Sequence, residues 1–300
     1  MGKHILVLGS LNMDLSVGMK AMPKVGETIL GDYLKYSAGG KGANQACAVG
    51  RLGGTVKMLG AIGKDDFGMA QKESLQKSGV LVSELKECEE PTGTAIIYVN
   101  GEGNNSIVVI EGANKQCDIP YLKEREKEFE WMDYLLMQME IPTKTIQYGA
   151  KKAKEKGKVV ILNPAPAPHT MDVELLSMID YLTPNETELA KLSQMPTDTL
   201  EQIQKASQSL LGKGVKKIIV TMGEKGSLLV DENGARQFEA KRVQAIDTTA
   251  AGDCFNGAFV VGLAEGMTEE EAIRFATVAS SIAVTRKGAQ ESIPYREEVK

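Results

Sequence analysis

Residues 134–162, YLLMQMEIPTKTIQYGAKKAKEKGKVVIL, decide the fold. The two ends, 134–137 and 159–162, are short unbroken apolar runs of the kind found in strands buried on both faces. The middle, 143–156, reads as a helix. Strand, helix, strand in this space is a parallel crossover unit. Outward from it the alternation continues. Apolar runs at 5–8, 56–62, 181–183 and 218–221 are interleaved with helical stretches at 42–52, 66–78, 119–130, 186–194, 199–212, 251–265 and 269–285. The pattern predicts one α/β domain over 1–300, a mostly parallel sheet with helices on both faces. No Pro/Ser linker divides the chain, and there is no internal repeat.

Two stretches break the alternation. Residues 15–36 and 93–110 read as short antiparallel strands with glycine turns. Within the second, 94–100 and 106–110 flank Gly101-Glu-Gly103-Asn-Asn, a hairpin signal. An edge hairpin and a small sheet standing off the main domain as a lid, over about 15–36 and 93–112, both fit. Glycine is concentrated here: 19 of the 31 glycines lie in residues 1–112, so the front third is rich in tight turns or in backbone that must approach something closely.

Composition excludes several classes. The chain has 300 residues, 42% apolar and 25% charged, which is globular usage rather than disordered, collagenous or coiled-coil. The formal charge is −5, and the densest basic stretch, 151–158, is interrupted by Glu155, so no nucleic-acid partner is expected. Cys47, Cys88, Cys117 and Cys254 are 41, 29 and 137 residues apart, matching no zinc or redox spacing, and isolated thiols suggest a reducing compartment. No run approaches a membrane span and no signal peptide precedes residues 5–8, so a cytoplasmic protein is expected. Neither GxxxxGK[ST] nor a GxGxxG after the first strand occurs, which excludes a P-loop and a standard dinucleotide site. Two histidines, His4 and His169, leave little for a histidine triad or metal centre.

The remaining motifs point to hydroxyl phosphorylation. Asp247-Thr-Thr-Ala-Ala-Gly-Asp253 opens a helix. The small residues Ala250, Ala251 and Gly252 leave backbone N–H groups facing outward at a helix N-terminus, an anion site, and Asp253 beside them could take a proton from a hydroxyl. Taken alone, an acidic residue favouring a helix dipole would look the same. Gly39-Gly40-Lys41-Gly42-Ala43-Asn44-Gln45 lets backbone approach a ligand, with Lys41 and Asn44 as donors. Asn12 and Asp14 follow the first strand, where open α/β sheets bind ligands, and an amide two residues from a carboxylate suits a polyol. Glu140 ends its strand in an equivalent place. Asn185 and Glu188, after Pro184, read equally as a capping box or as holders of water around Mg²⁺. Thr221-Met222-Gly223-Glu224-Lys225-Gly226 reads as a turn bordering a nucleotide.

In this order, Asn12/Asp14, GGKGANQ, NETE, TMGEKG and DTTAAGD make the chain resemble the ribokinase family of sugar kinases over about residues 5–297. Residues 163–167, 99–103 and 285–290 resemble its ribose-phosphorylating members. The resemblance implies a three-layer α/β/α domain with a β lid that closes over sugar and often pairs two subunits as a homodimer. It implies ATP-dependent phosphorylation of D-ribose at O5. By position, Asn12, Asp14, Gly40, Lys41, Gly42, Ala43, Asn44 and Glu140 would bind ribose, with Asp253 as base and Ala250, Ala251 and Gly252 as anion hole. Asn185, Thr221, Met222, Gly223, Glu224, Lys225, Gly226, Gly252 and Thr277 would border ATP. Glu188 would organise Mg²⁺ through water. A monovalent cation, usually K⁺, would sit among Asp247, Thr249, Ala283, Arg286, Gly288 and Ser292, largely on backbone carbonyls, and would order the 247–253 loop. The alternatives are another kinase of the family, such as a deoxyribokinase or fructokinase, and a non-catalytic sugar or nucleotide sensor. Asn12 is the discriminating residue, because a polar amide suits a substrate with a 2-hydroxyl.

Overall fold

Alternate residues of the apolar runs face opposite sides of one sheet: Ile5 and Val7 enter one core while Leu6 and Leu8 enter the other. The same split divides Leu136 from Leu135 and Met137, and Ile219 from Ile218 and Val220. Both faces are apolar because both are covered. The computed structural model describes residues 2–102 and 104–300, so Gly103 of the expected hairpin turn lies outside the described residues.

With strands numbered in chain order, the eight-stranded sheet runs β14 (Gly234–Phe238), β13 (Ser227–Asp231), β12 (Lys217–Thr221), β11 (Tyr181–Leu182), β10 (Val159–Leu162), β9 (Tyr134–Met137), β1 (His4–Leu8), β4 (Thr55–Leu59). From β4 to β12 every pair is parallel, and β13 and β14 add an antiparallel edge. On one face lie α1 (Lys41–Arg51), α9 (Ala251–Ala264) and α10 (Glu269–Ala283), with Leu75 of α2 (Asp66–Lys77) in the same core. On the other lie α3 (Ile119–Lys123), α4 (Glu126–Trp131), α5 (Thr143–Glu155), α6 (Val173–Ser177), α7 (Glu186–Ser193) and α8 (Leu200–Leu211). The chain goes from β1 outward to β4 and then to the opposite side at β9. That reversal opens a crevice beyond the carboxyl ends of β1 and β9, where such sheets take ligands.

A separate four-stranded sheet has the order β3 (Tyr33–Gly39), β2 (Asn12–Gly18), β7 (Gly93–Val99), β8 (Asn105–Ile110). The outer pairs are antiparallel, but β2 and β7 run parallel, unlike the expected all-antiparallel arrangement. The first pair also spans 12–39 rather than 15–36, with residues 19–32 outside any strand. Pro23, which cannot donate to a ladder, and Gly26 at φ 82° lie in that excursion. A third sheet pairs β5 (Ala61–Gly63) with β6 (Lys86–Cys88).

Other boundaries differ from the sequence reading for local reasons. The run 56–62 is two strands in two sheets, parted at Gly60, where a Cβ would come within 2.4 Å of Leu11 and 2.7 Å of the Gly9 carbonyl. The helix expected over 119–130 is two helices, because Arg125 leaves helical geometry at φ −119° and its guanidinium donates to the Glu84 carbonyl at 3.0 Å.

Candidate active site

A cleft of about 170 Å³ opens over the crevice, with Lys41, Asn185, Thr221, Gly252 and Asp253 in its lining. The glycine motif brings α1 to it. Gly40 has φ 87°, which turns the chain from β3 into the helix without a Cβ penalty. Gly42 packs so closely on β1's exit that a Cβ would lie 2.6 Å from the Gly9 carbonyl carbon. Lys41 and Asn44 are thereby presented beside Asp253, and Asn44 Nδ2 donates to Asp253 Oδ2 at 2.9 Å. The other side of that amide, Asn44 Oδ1, is buried and has no partner among the described residues. Gly42 and Ala43 are buried in α1 itself.

Asn12 and Asp14 sit on β2, in the small sheet, not simply beyond β1. Asn12 Oδ1 accepts from Asn114 Nδ2 at 2.7 Å, and its own NH₂ has no acceptor among the described residues. Asp14 is 8% exposed. Burial pushes its carboxyl up to about 7, with Glu140 and Asp253 adding to the shift and Lys41 opposing it. Burial also works against the Lys41 charge, but Asp253, Glu140, Glu188 and Asp14 outweigh it and raise the ammonium above its ordinary value. Glu140 accepts at Oε2 from Ser10 Oγ at 2.6 Å and from the Lys41 N–H at 3.1 Å, so it anchors the glycine turn to β1 and β9.

Asp253 begins α9. Both carboxylate oxygens are engaged, Oδ2 by Asn44 and Oδ1 by Gln45 Nε2 at 2.9 Å. Ala250 precedes the helix at φ 58°, a left-handed conformation uncommon for a residue with a side chain. Of the expected anion donors, the Ala251 N–H is spent on the Thr248 carbonyl at 3.2 Å. The N–H groups of Gly252 and Asp253 have no acceptor among the described residues. Apart from its chain neighbours and the backbone of its own helix, nothing lies within 4 Å of where a Gly252 Cβ would be. Open space in front of two free helix N-terminal donors is what an anion needs.

Across the cleft, Asn185 and Glu188 do form the capping box: Glu188 N–H donates to Asn185 Oδ1 at 2.8 Å and Asn185 N–H to Glu188 Oε2 at 2.9 Å. Both also line the cleft. Burial raises the Glu188 carboxyl, against the Asn185 N–H and Lys41. Asn185 bridges to Thr221 at the end of β12. The turn after it is fixed by Met222 N–H to the Gly226 carbonyl at 2.8 Å, with Gly223 and Gly226 at φ 55° and 89°. Lys225 pairs with Glu186 at 3.2 Å, Glu224 is exposed, and neither lines the cleft. Thr277 is on α10, outside the lining, and its hydroxyl is spent on the Ile273 carbonyl at 2.8 Å, as is common for helical threonine.

The loop before Ala250 is tied to the chain's last turns. Asp247 accepts from the Thr249 N–H and the Gly288 N–H, each at 2.9 Å. Burial would raise its carboxyl, yet these donors hold it below its ordinary value. Ile246 N–H donates to the Val284 carbonyl at 2.8 Å. The Ala283 carbonyl accepts from Arg286 N–H at 3.0 Å, Arg286 pairs with Glu298, and Ser292 is fully buried. No cluster of three or more His, Cys, Asp or Glu side chains suited to a metal occurs among the described residues, so a cation here would rest mainly on backbone oxygens.

A sequence profile for the "pfkB family carbohydrate kinase" group matches residues 3–296. The chain belongs to the pfkB family of carbohydrate kinases. It is 41% identical to the ribokinase of Haemophilus influenzae, over 99% of this chain and 97% of that one. It is 37% identical to the deoxyribokinase of Salmonella typhi, over 98% and 96%. The structure of Arabidopsis thaliana ribokinase complexed with ribose and ATP superposes with a TM-score of 0.93 at 37% identity, over 100% and 98%.

Several polar groups in or behind this pfkB-family cleft were given no role of their own by the sequence reading: Asn163 and Asn256 in its lining, and Ser10, Gln45, Asn114 and Gln138 outside it. Asn256 accepts from Thr183 Oγ1 at 2.6 Å and donates to the Gly252 carbonyl at 2.8 Å, steadying the start of α9. Gln45 was visible inside GGKGANQ, but nothing local says that it meets a residue 208 positions away. No helix among the described residues is long and apolar enough to cross a membrane.

Proposed function

We propose that this chain catalyses ATP-dependent phosphorylation of D-ribose at O5, giving ribose 5-phosphate and ADP. The observation that carries the reading is Asp253 sitting between two unsatisfied sets of groups. On one side are Asp14, the NH₂ of Asn12 and the unpartnered Asn44 Oδ1, a mixed donor and acceptor set for a polyol. On the other are the free N–H groups of Gly252 and Asp253 facing open space. Asp253 takes the proton of the sugar hydroxyl as O5 bonds to the γ-phosphorus and the bond to the β–γ bridging oxygen breaks. The two N–H groups and Lys41 stabilise charge on the transferring group. Asn185, Thr221 and the 222–226 turn would border the nucleotide.

The donor sets also fit two metals. Glu188 keeps one carboxylate oxygen outside its capping box, suited to holding water on Mg²⁺, which when bound neutralises charge on the phosphates. Asp247 and the carbonyls around 283–292 would hold K⁺ and order the 247–253 loop. The four-stranded sheet would act as a lid over the sugar, since it carries Asn12 and Asp14. Tyr33 and Leu34 on β3 and Ile107 to Ile110 on β8 are about half exposed, an apolar surface suited to pairing two copies through this sheet. Four free thiols fit a cytoplasmic setting.

The 37% identity to a deoxyribokinase makes 2-deoxyribose the competitor to beat. With Asn12 Oδ1 occupied by Asn114, its NH₂ is the group left for a 2-hydroxyl. ADP release measured with ribose, 2-deoxyribose, fructose and adenosine, each with and without K⁺, tests the assignment. Ribose should lead in kcat/KM by about 100-fold or more, as buried polar readers reject analogues lacking their hydroxyl. Preference for another substrate overturns the specificity, and a rate indifferent to K⁺ removes the cation site. Gly252→Ala separates function from folding. With nothing beyond its chain neighbours and its own helix backbone within 4 Å of the added methyl, and alanine the better helix former, thermal stability should hold or rise slightly. The N–H is kept, but the methyl would crowd an anion held at it, so kcat should fall by about 100-fold, the scale of one such contact. An unchanged kcat would take Gly252 out of the anion hole.

A further inference from the structure

The orientation of Asp253 is set by a buried chain of amides, of which Asn163 reaches the cleft lining while Gln45 and Gln138 lie behind it. Gln45 Nε2 donates to Asp253 Oδ1 at 2.9 Å and to Asn163 Oδ1 at 3.2 Å, so one NH₂ serves both acceptors. The other end of the amide, Gln45 Oε1, accepts from Gln138 Nε2 at 2.7 Å. Asn163 is itself oriented, because its Nδ2 donates to the Thr183 carbonyl at 2.9 Å and leaves Oδ1 for Gln45. Every neighbour therefore makes Gln45 present its NH₂, and not its oxygen, to the carboxylate. Gln45 and Gln138 are fully buried, and neither lines the cleft. Gln138 keeps this orientation although its own Oε1 has no partner among the described residues, an unfavourable arrangement for a buried oxygen. That oxygen lies over Gly9, where a Cβ would approach it to 2.0 Å. The strand end that carries Gln138 is thus packed against β1's exit, and its free NH₂ has one task, to hold Gln45.

We propose that Gln45, locked by Gln138 and Asn163, is the positioning residue for Asp253, holding the carboxylate in the rotamer that reaches the sugar hydroxyl. This rests on Asp253 being the base. Gln45→Met and Gln138→Met, each alone and combined with Asp253→Asn, test it through kcat and ribose KM. Gln45→Met should lower kcat by roughly 10- to 100-fold, the scale of a small misplacement of a reacting group, with ribose KM within about threefold. On the Asp253→Asn background the same change should cost less than about twofold, because a residue acting only through Asp253 has nothing left to act on. Gln138→Met leaves both direct donors to Asp253 in place and should show the same pattern at smaller size. It decides the matter where Gln45→Met does not fold. A folded variant with native kcat, a loss confined to ribose KM, or losses that add in full to Asp253→Asn would overturn the proposal. Should Asp253→Asn itself remain active, it is the base assignment that fails, whatever Gln45→Met does.

Discussion

Asp253→Asn should lower kcat by about three to four orders of magnitude while ribose still binds. The substitution keeps the shape of the side chain and removes its capacity to take a proton. Asn44 and Gln45 both donate to the carboxylate, so the new amide can satisfy only one of them with its oxygen, and a slight reorientation is expected. Lys41 loses the anion that acts on it most strongly but keeps Glu140, Glu188 and Asp14, so the cleft retains a charged lysine. Residual turnover should come from the Gly252 and Asp253 N–H groups and from sugar positioning, neither of which needs the carboxylate. ADP release at saturating ribose and ATP, with calorimetric sugar binding on the same protein, checks both halves. A kcat within tenfold of the unsubstituted enzyme would remove Asp253 from the base role. Lost sugar binding with an intact fold would instead make it a substrate anchor.

What the sequence disclosed about this site follows the range over which its signals act. DTTAAGD and GGKGANQ are local: a run of small residues opening a helix and glycines at a turn each carry their backbone consequence with them. Helix ends governed by capping were legible for the same reason, and Asn185 with Glu188 closes the box that its spacing announced. The path of 12–39 was less legible although NMDLSVG alternates polar and apolar residues, because its pairing partners, Gly39 and Gly93, lie far along the chain. The edge hairpin β13–β14 was missed, since only the turn before it had a marked composition. The amides around Asp253 were invisible for a deeper reason. A glutamine in an apolar stretch has the same local signature whether it faces solvent or holds a carboxylate. Only the fold brings Gln45, Gln138, Asn163 and Asp253 together from α1, the residues just after β9 and β10, and α9.

Asp14→Asn should abolish high-affinity ribose binding and at the same time stabilise the sugar-free protein above neutral pH. The carboxyl is 8% exposed, has no hydrogen-bond donor among the described residues and shares its surroundings with Glu140 and Asp253. Space for it exists only because residue 39 is glycine; a Cβ there would lie 2.2 Å from Asp14 Oδ2. Its folded pKa is raised from 3.8 to about 7, burial being the main cause. A group raised in this way binds its proton more tightly in the folded state. Its contribution to stability is therefore fully present below pH 3.8 and is lost as pH rises through about 7. The ionised Asp14 at pH 8 then opposes folding by on the order of 2–4 kcal/mol, and asparagine, which cannot ionise, escapes this. Melting temperature compared at pH 5 and pH 8 should show Asp14→Asn gaining over the unsubstituted chain mainly at the higher pH. Ribose reverses the balance, because hydroxyl donors favour the charged carboxylate and supply the partners the empty site lacks. Affinity should accordingly weaken as pH falls below about 7, by up to tenfold per unit, and binding near pH 6 should release a proton, seen as a buffer-dependent heat. In Asp14→Asn both effects should vanish. An unaltered ribose KM in this variant would exclude Asp14 from the sugar site, and equal stability differences at pH 5 and pH 8 would show that its charge is not strained. The two outcomes are separate, since one reads contact with the substrate and the other reads the cost of keeping a carboxylate ready for it.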